Sequence, residues 1–78
     1  MSRADVLGVQ DAILHHLVKY PHSILSAYDL GRVLGISPNT ARRTCEALYG
    51  EAKIWRVDGK DRVTRYQASP SYLRKLDD

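Results

Sequence analysis

Residues 34–48 read LGISPNTARRTCEAL, from Leu34 to Leu48, and place a helix stop and a helix start within a few positions of each other. Gly35 supplies a backbone that takes positive φ without steric cost, the usual device for ending a helix. Ser37 then offers a hydroxyl as N-cap, and Pro38 suits the first helical position, where its missing N–H would have no intrahelical acceptor anyway. Two helices joined by so short a turn must cross steeply. The stretch therefore predicts a helix-turn-helix pair whose second member spans 38–49.

At about 100° per residue, that second helix puts Ala41, Thr44, Cys45 and Leu48 on one side and Asn39, Arg42, Arg43 and Glu46 on the other. The first set is small or apolar, so the paired arginines point outward. Glu46 follows Arg42 by four residues, the spacing of a helical ion pair, which contributes only about 0.2 to 0.5 kcal/mol. Cys45 lies on the inward side and reads as a core thiol rather than a redox sensor.

Working toward the N-terminus, Leu30, Val33 and Leu34 mark the buried side of the first helix of the pair, and Gly31 is small where that helix approaches its neighbour. Ser26 is its expected N-cap, with Asp29 at the third helical position as a form of capping box. Ser23, Ile24 and Leu25 are expected to form a very short strand. Residues 4–20 read as an amphipathic helix, because Val6, Val9, Ile13, Leu17 and Tyr20 recur every three or four residues, with Leu14 widening the stripe. Pro21 stops it.

Toward the C-terminus, Gly50 is the expected end of the 38–49 helix. Residues 53–57 and 62–68 then read as two strands around Asp58 and Gly59, a strong hairpin signal. A two-residue Asp-Gly turn would set Ile54 and Tyr66 on opposite faces, whereas a longer loop through Arg62 lets both face the core, and the longer loop is favoured. Ser69 and Pro70 start a last short helix with Tyr72, Leu73 and Leu76 as its apolar contacts. The fold class is thus mainly α with a small β-hairpin: helix, short strand, helix, turn, helix, two-stranded wing, short helix, in one domain over 1–78.

The chain has 78 residues and a net charge of +3, but the charge is unevenly spread. Between Arg32 and Arg65 there are eight basic and four acidic residues, a balance of +4, while the remainder has four basic and five acidic, a balance of −1. That asymmetry favours an anionic partner for the central segment. A single cysteine forms no internal disulfide, and neither a signal-peptide pattern nor a membrane-length apolar run is present, so a cytoplasmic location is expected. A domain of this size buries only about 60% of its unfolded surface, which favours support from a second subunit.

Two segments, SAYDLGRVLGISPNTARRTCEAL and KIWRVDGKDRVTRYQA, resemble the winged helix-turn-helix family of DNA-binding domains. The resemblance covers roughly Ile24 to Ala68. It implies a recognition helix for the DNA major groove with a hairpin wing beside it, touching backbone or minor groove. The chain departs from the family pattern at Ala41 and Thr44, where branched aliphatic residues are more usual, and at Ala52, which replaces a glycine often found just before the first wing strand.

The candidate interface follows from these placements. Asn39, Arg42 and Arg43 carry the amide and guanidinium donors that read base edges. Arg32, Ser37, Thr40 and the wing cations Lys60 and Arg62 are the candidates for phosphate contacts, Ser37 and Thr40 because a helix N-terminus favours negative charge. Trp55 and Tyr66 are expected to pack in the core or at the wing base. His15, His16 and His22 lack the spacing and partners of a metal site, no cofactor is implied, and no nucleophilic or acid–base constellation suggests an enzyme. The expected function is sequence-specific binding of double-stranded DNA by a small transcriptional regulator, acting as a homodimer through its first helix or its C-terminal tail. The alternative is an interaction module whose basic face docks an acidic protein partner.

Overall fold

In the computed structural model, which describes residues 8–77, the first helix is α1, Val9–Lys19, burying Ala12, Ile13 and Leu17. Residues 4–7 of the expected helix, Val6 among them, lie outside the described residues. Gly8 falls within the predicted helix but has φ 81° and stands at the N-cap instead, a conformation glycine reaches freely. The helix closes at its other end when the Tyr20 N–H donates to the His16 carbonyl, with Pro21 following.

Strand β1 is only Leu25–Ser26, beginning two residues later and ending one later than the expected Ser23–Leu25. Ser26 then caps helix α2, Ala27–Leu34, through a reciprocal box: its Oγ accepts from the Asp29 N–H at 3.1 Å, and the Asp29 carboxylate accepts from the Ser26 N–H at 3.2 Å. Gly35 ends α2 at φ 72°, and both its N–H and that of Ile36 donate to the Gly31 carbonyl. A side chain at Gly31 would bring a Cβ to 2.7 Å from the Ile36 carbonyl oxygen, so the tight turn demands glycine there.

Helix α3, Pro38–Gly50, starts on the Ser37 cap and runs through Gly50, one residue past the expected end. The termination is a Schellman motif one step later: the Ala52 N–H donates to the Tyr49 carbonyl and the Lys53 N–H to the Leu48 carbonyl. Ala52 takes the left-handed turn position at φ 61°, which explains why glycine suits this place.

Strands β2, Ile54–Asp58, and β3, Thr64–Ala68, pair antiparallel with Ile54 opposite Ala68 and Arg56 opposite Tyr66. The connection is the longer loop, residues 59–63, in which Arg62 adopts φ 65°. Ile54 and Tyr66 consequently share the inner face, and each is only 1% exposed. Alternation turns Trp55 outward, where it is 49% exposed, so of its two expected placements, core or wing base, the core one is corrected. Strand β1 joins the far edge of β3, giving sheet order β1-β3-β2 with Leu25 opposite Tyr66. Helix α4, Pro70–Asp77, is the last element among the described residues and rests Leu73 against the core.

The core lies where α1, α2 and α3 meet the inner face of the hairpin, and its largest fully buried side chains are Tyr66, Ile13, Leu17, Leu30, Leu48 and Ile54. Cys45 is buried among them with 0% exposure, and burial, with the Glu46 charge second, pushes its thiol up to about 12.

Candidate nucleic-acid interface

Burial of Ala41, Cys45 and Leu48 fixes the rotation of α3, and everything on its opposite side follows from that. Asn39 and Arg43 occupy the most outward line, while Arg42 leans toward the hairpin and Thr40 toward α1. Arg42 and Arg43 are both exposed. One Arg42 guanidinium nitrogen donates to the Asn39 side-chain carbonyl at 3.3 Å, which orients the Asn39 amide and leaves its NH2 group as a donor. Among the described residues, Arg43 has no hydrogen bond or ion pair within the protein.

The N-terminal turn of α3 is built from hydroxyls. Ser37 Oγ accepts from the Thr40 N–H at 3.1 Å and donates to Thr40 Oγ1 at 2.8 Å, while Thr44 Oγ1 donates to the Thr40 carbonyl at 2.8 Å. The Ser37 proton is thereby engaged inside the cap. The Thr40 hydroxyl keeps its own proton for an outside acceptor, and the Asn39 N–H belongs to the donors that a helix start leaves without intrahelical partners.

Glu46 does not pair with Arg42. Its carboxylate accepts from Arg56 at 3.1 Å and from the Tyr66 hydroxyl at 2.7 Å, so it bridges α3 to both strands of the hairpin. Arg56 is further neighboured by Asp58 at 3.6 Å and lies over the Tyr49 ring, 5.8 Å from its centroid. Burial and the Glu46 bond together hold the Tyr66 phenol well above its ordinary value. Sequence reading missed this bridge because its partners are ten and twenty positions from Glu46.

At the hairpin tip, Asp61 is tied down. Both its oxygens accept from the Arg65 guanidinium, at 3.2 and 2.8 Å, and one also accepts from the Val63 N–H. The Arg65 bond, followed by the Val63 N–H, brings its carboxyl to about 2. This leaves Lys60 and Arg62, both exposed, as tip cations without an intramolecular acceptor among the described residues. Arg32, in the last turn of α2, is likewise exposed and has no partner among the described residues.

Between α3 and the hairpin runs an open cleft lined by Arg42, Arg43, Glu46, Arg56, Thr64 and Tyr66. A second, more apolar hollow continues it toward α2, walled by Tyr28, Arg42, Val63 and Thr64. Tyr28, 71% exposed, had no signal in the sequence beyond its place after a cap. Among the described residues, no three His, Cys, Asp or Glu side chains come close enough to hold a metal ion, and no helix is long and apolar enough to cross a membrane.

No family model matches the sequence, and no curated protein matches it. Solved structures do. The DNA complex of MepR from Staphylococcus aureus superposes with a TM-score of 0.75 at 17% identity, covering 94% of this chain and 60% of that one. The heme sensor PefR from Streptococcus agalactiae, in complex with heme, gives 0.72 at 25% identity, covering 90% and 49%. A ZitR variant from Lactococcus lactis gives 0.68 at 17% identity, covering 88% and 47%. MepR is a transcription regulator of the efflux pump MepA. The chain therefore has the winged helix-turn-helix fold, with α2 and α3 as its helix pair and β2–β3 as its wing. It spans between 47% and 60% of the length of these three solved structures.

Proposed function

We propose that this domain binds double-stranded DNA with sequence preference and serves in transcription regulation, α3 entering the major groove and the β2–β3 wing resting on the adjacent backbone. The observation that carries this reading is the arrangement of free donors. Arg43 and the Asn39 amide stand on the outward line of α3, and Lys60 and Arg62 stand at the wing tip with the neighbouring carboxylate of Asp61 already satisfied by Arg65. With Asp61 engaged by Arg65, less negative charge at the tip opposes an approaching phosphate.

The division of labour follows from position. Arg43 and Asn39 discriminate bases, with Arg42 flanking them on the wing side. Thr40, Arg32, Lys60 and Arg62 hold phosphates and set the register. Ser37 contributes through the cap that presents Thr40 and the Asn39 N–H, rather than through its own engaged hydroxyl. One such module reads few base pairs, so two copies on an inverted repeat are the simplest route to useful affinity. The copies meet through α1 or through α4, where Leu76 remains 53% exposed.

The test is titration with mixed-sequence duplex DNA at two salt concentrations, followed by selection of bound sequences. Binding that weakens with salt and an enriched motif support the reading. No binding even at low salt overturns it and favours an acidic protein partner for the same basic face.

A further inference from the structure

We propose that the cleft between α3 and the wing seats a backbone phosphate of the bound duplex, clamped by Arg56 and Arg42, and that Glu46 limits the affinity of this seat. The proposal rests on the DNA-binding reading above. When a helix occupies the major groove and the neighbouring hairpin rests on the adjacent backbone, one sugar–phosphate strand borders both elements. That strand must pass through the space between the two protein elements. In this protein the space is an open cleft bordered by three guanidinium groups, from Arg42, Arg43 and Arg56. Guanidinium is the side chain best matched to phosphate oxygens.

The anomalous member of the lining is Glu46, a carboxylate on the phosphate path. Its charge is offset by Arg56 at 3.1 Å and its other oxygen by the Tyr66 hydroxyl at 2.7 Å. The pair is accessible, with Glu46 and Arg56 side chains 42% and 38% exposed, so a phosphate reaches Arg56 without any opening of the core. Exposed ion pairs of this kind are weak and readily exchanged. Arg56 therefore trades a carboxylate for a phosphate on binding, and the carboxylate left behind cancels part of what the clamp gains. Because phosphates are the same in every sequence, Glu46 tunes affinity and not sequence preference.

The experiment compares wild type, Glu46→Gln and Arg56→Ala on one mixed-sequence duplex between 50 and 200 mM salt and by selection of bound sequences from a random pool, with thermal melting to confirm each fold. A glutamine at 46 still accepts from the Tyr66 hydroxyl, so the bridge to the wing is kept. The expected result is tighter binding by Glu46→Gln, with a slope of log affinity against log salt steeper by about 0.9. Its advantage over wild type is then about threefold to fourfold greater at 50 mM than at 200 mM. Arg56→Ala is expected to bind more weakly with a slope shallower by about the same amount. A purely structural role for Glu46 leaves the slope of the folded Glu46→Gln protein unchanged and overturns the proposal. So does a change of preferred sequence at unchanged slope, which would make Glu46 a base reader. A wild-type protein that ignores duplex DNA at every salt concentration overturns the DNA-binding reading itself and this proposal with it.

Discussion

Replacing Ala52 with glycine should stabilise the domain while leaving DNA affinity unchanged. Ala52 holds the left-handed position of the Schellman motif that ends α3, at φ 61°, where its Cβ crowds the backbone. That conformation costs an L-residue about 1 to 2 kcal/mol, and glycine pays nothing comparable. Against this gain stands the greater freedom of glycine in the unfolded chain, about 0.4 to 1 kcal/mol. The methyl group is on an exposed residue, so little packing is lost with it. The balance is a gain of about 0.5 to 1 kcal/mol, which for a domain of this length raises the melting temperature by about 3 to 6 °C. The assay is thermal unfolding followed by circular dichroism, with Gly35→Ala as the converse control. Gly35 sits at φ 72° in the same role at the end of α2 and should lose about 1 kcal/mol when given a side chain. A folded Ala52→Gly protein that melts at or below the wild-type temperature would refute the reasoning.

Three further outcomes are expected. Arg43→Ala should cost about 1 to 3 kcal/mol on the preferred DNA site and relax discrimination at one or two base positions, measured by binding to singly substituted duplexes. Arg62→Gly should raise thermal stability by about 0.5 to 1 kcal/mol, since Arg62 is held at φ 65°, yet lower the salt slope of DNA binding by about 0.9 through the lost cation. Melting curves and salt titrations on the same preparation check both halves. Cys45, buried and with its thiol raised to about 12, should react with a thiol reagent at pH 8 only as fast as the domain unfolds; rapid native labelling would contradict its place in the core.

The helix pair was legible in the sequence because its determinants are local. Gly35, Ser37 and Pro38 each act on backbone atoms within four residues, and those interactions formed as read. The rotation of α3 was legible for a related reason, since Ala41, Cys45 and Leu48 leave one choice of buried side. For Trp55 the core was one of two expected placements, and strand alternation decides against it, because the neighbour of a buried Ile54 must face outward. The partners of Glu46 were beyond reach. Spacing favoured Arg42, but the hairpin folds back beside α3 and presents Arg56 and Tyr66 at shorter range. Gly50 misled in a different way, because the left-handed turn it invited was taken by Ala52, where the chain must bend to start β2.

Strand β3 is the middle strand of the sheet, and β1 grips it only at Arg65 and Tyr66, partway along the wing. In mechanical terms the hairpin is a braced beam: a third strand supports it at Arg65 and Tyr66, and beyond that brace only the Asp58–Thr64 pair and the 59–63 loop project. The brace includes Ser26, whose backbone pairs with Arg65 and whose hydroxyl caps α2. Ser26 is thus a fulcrum: a load on the tip loop bears on the first turn of α2, and a loosened cap on α2 makes the wing more compliant. Stiffness of the tip loop is thus tied to a residue more than thirty positions earlier in the chain.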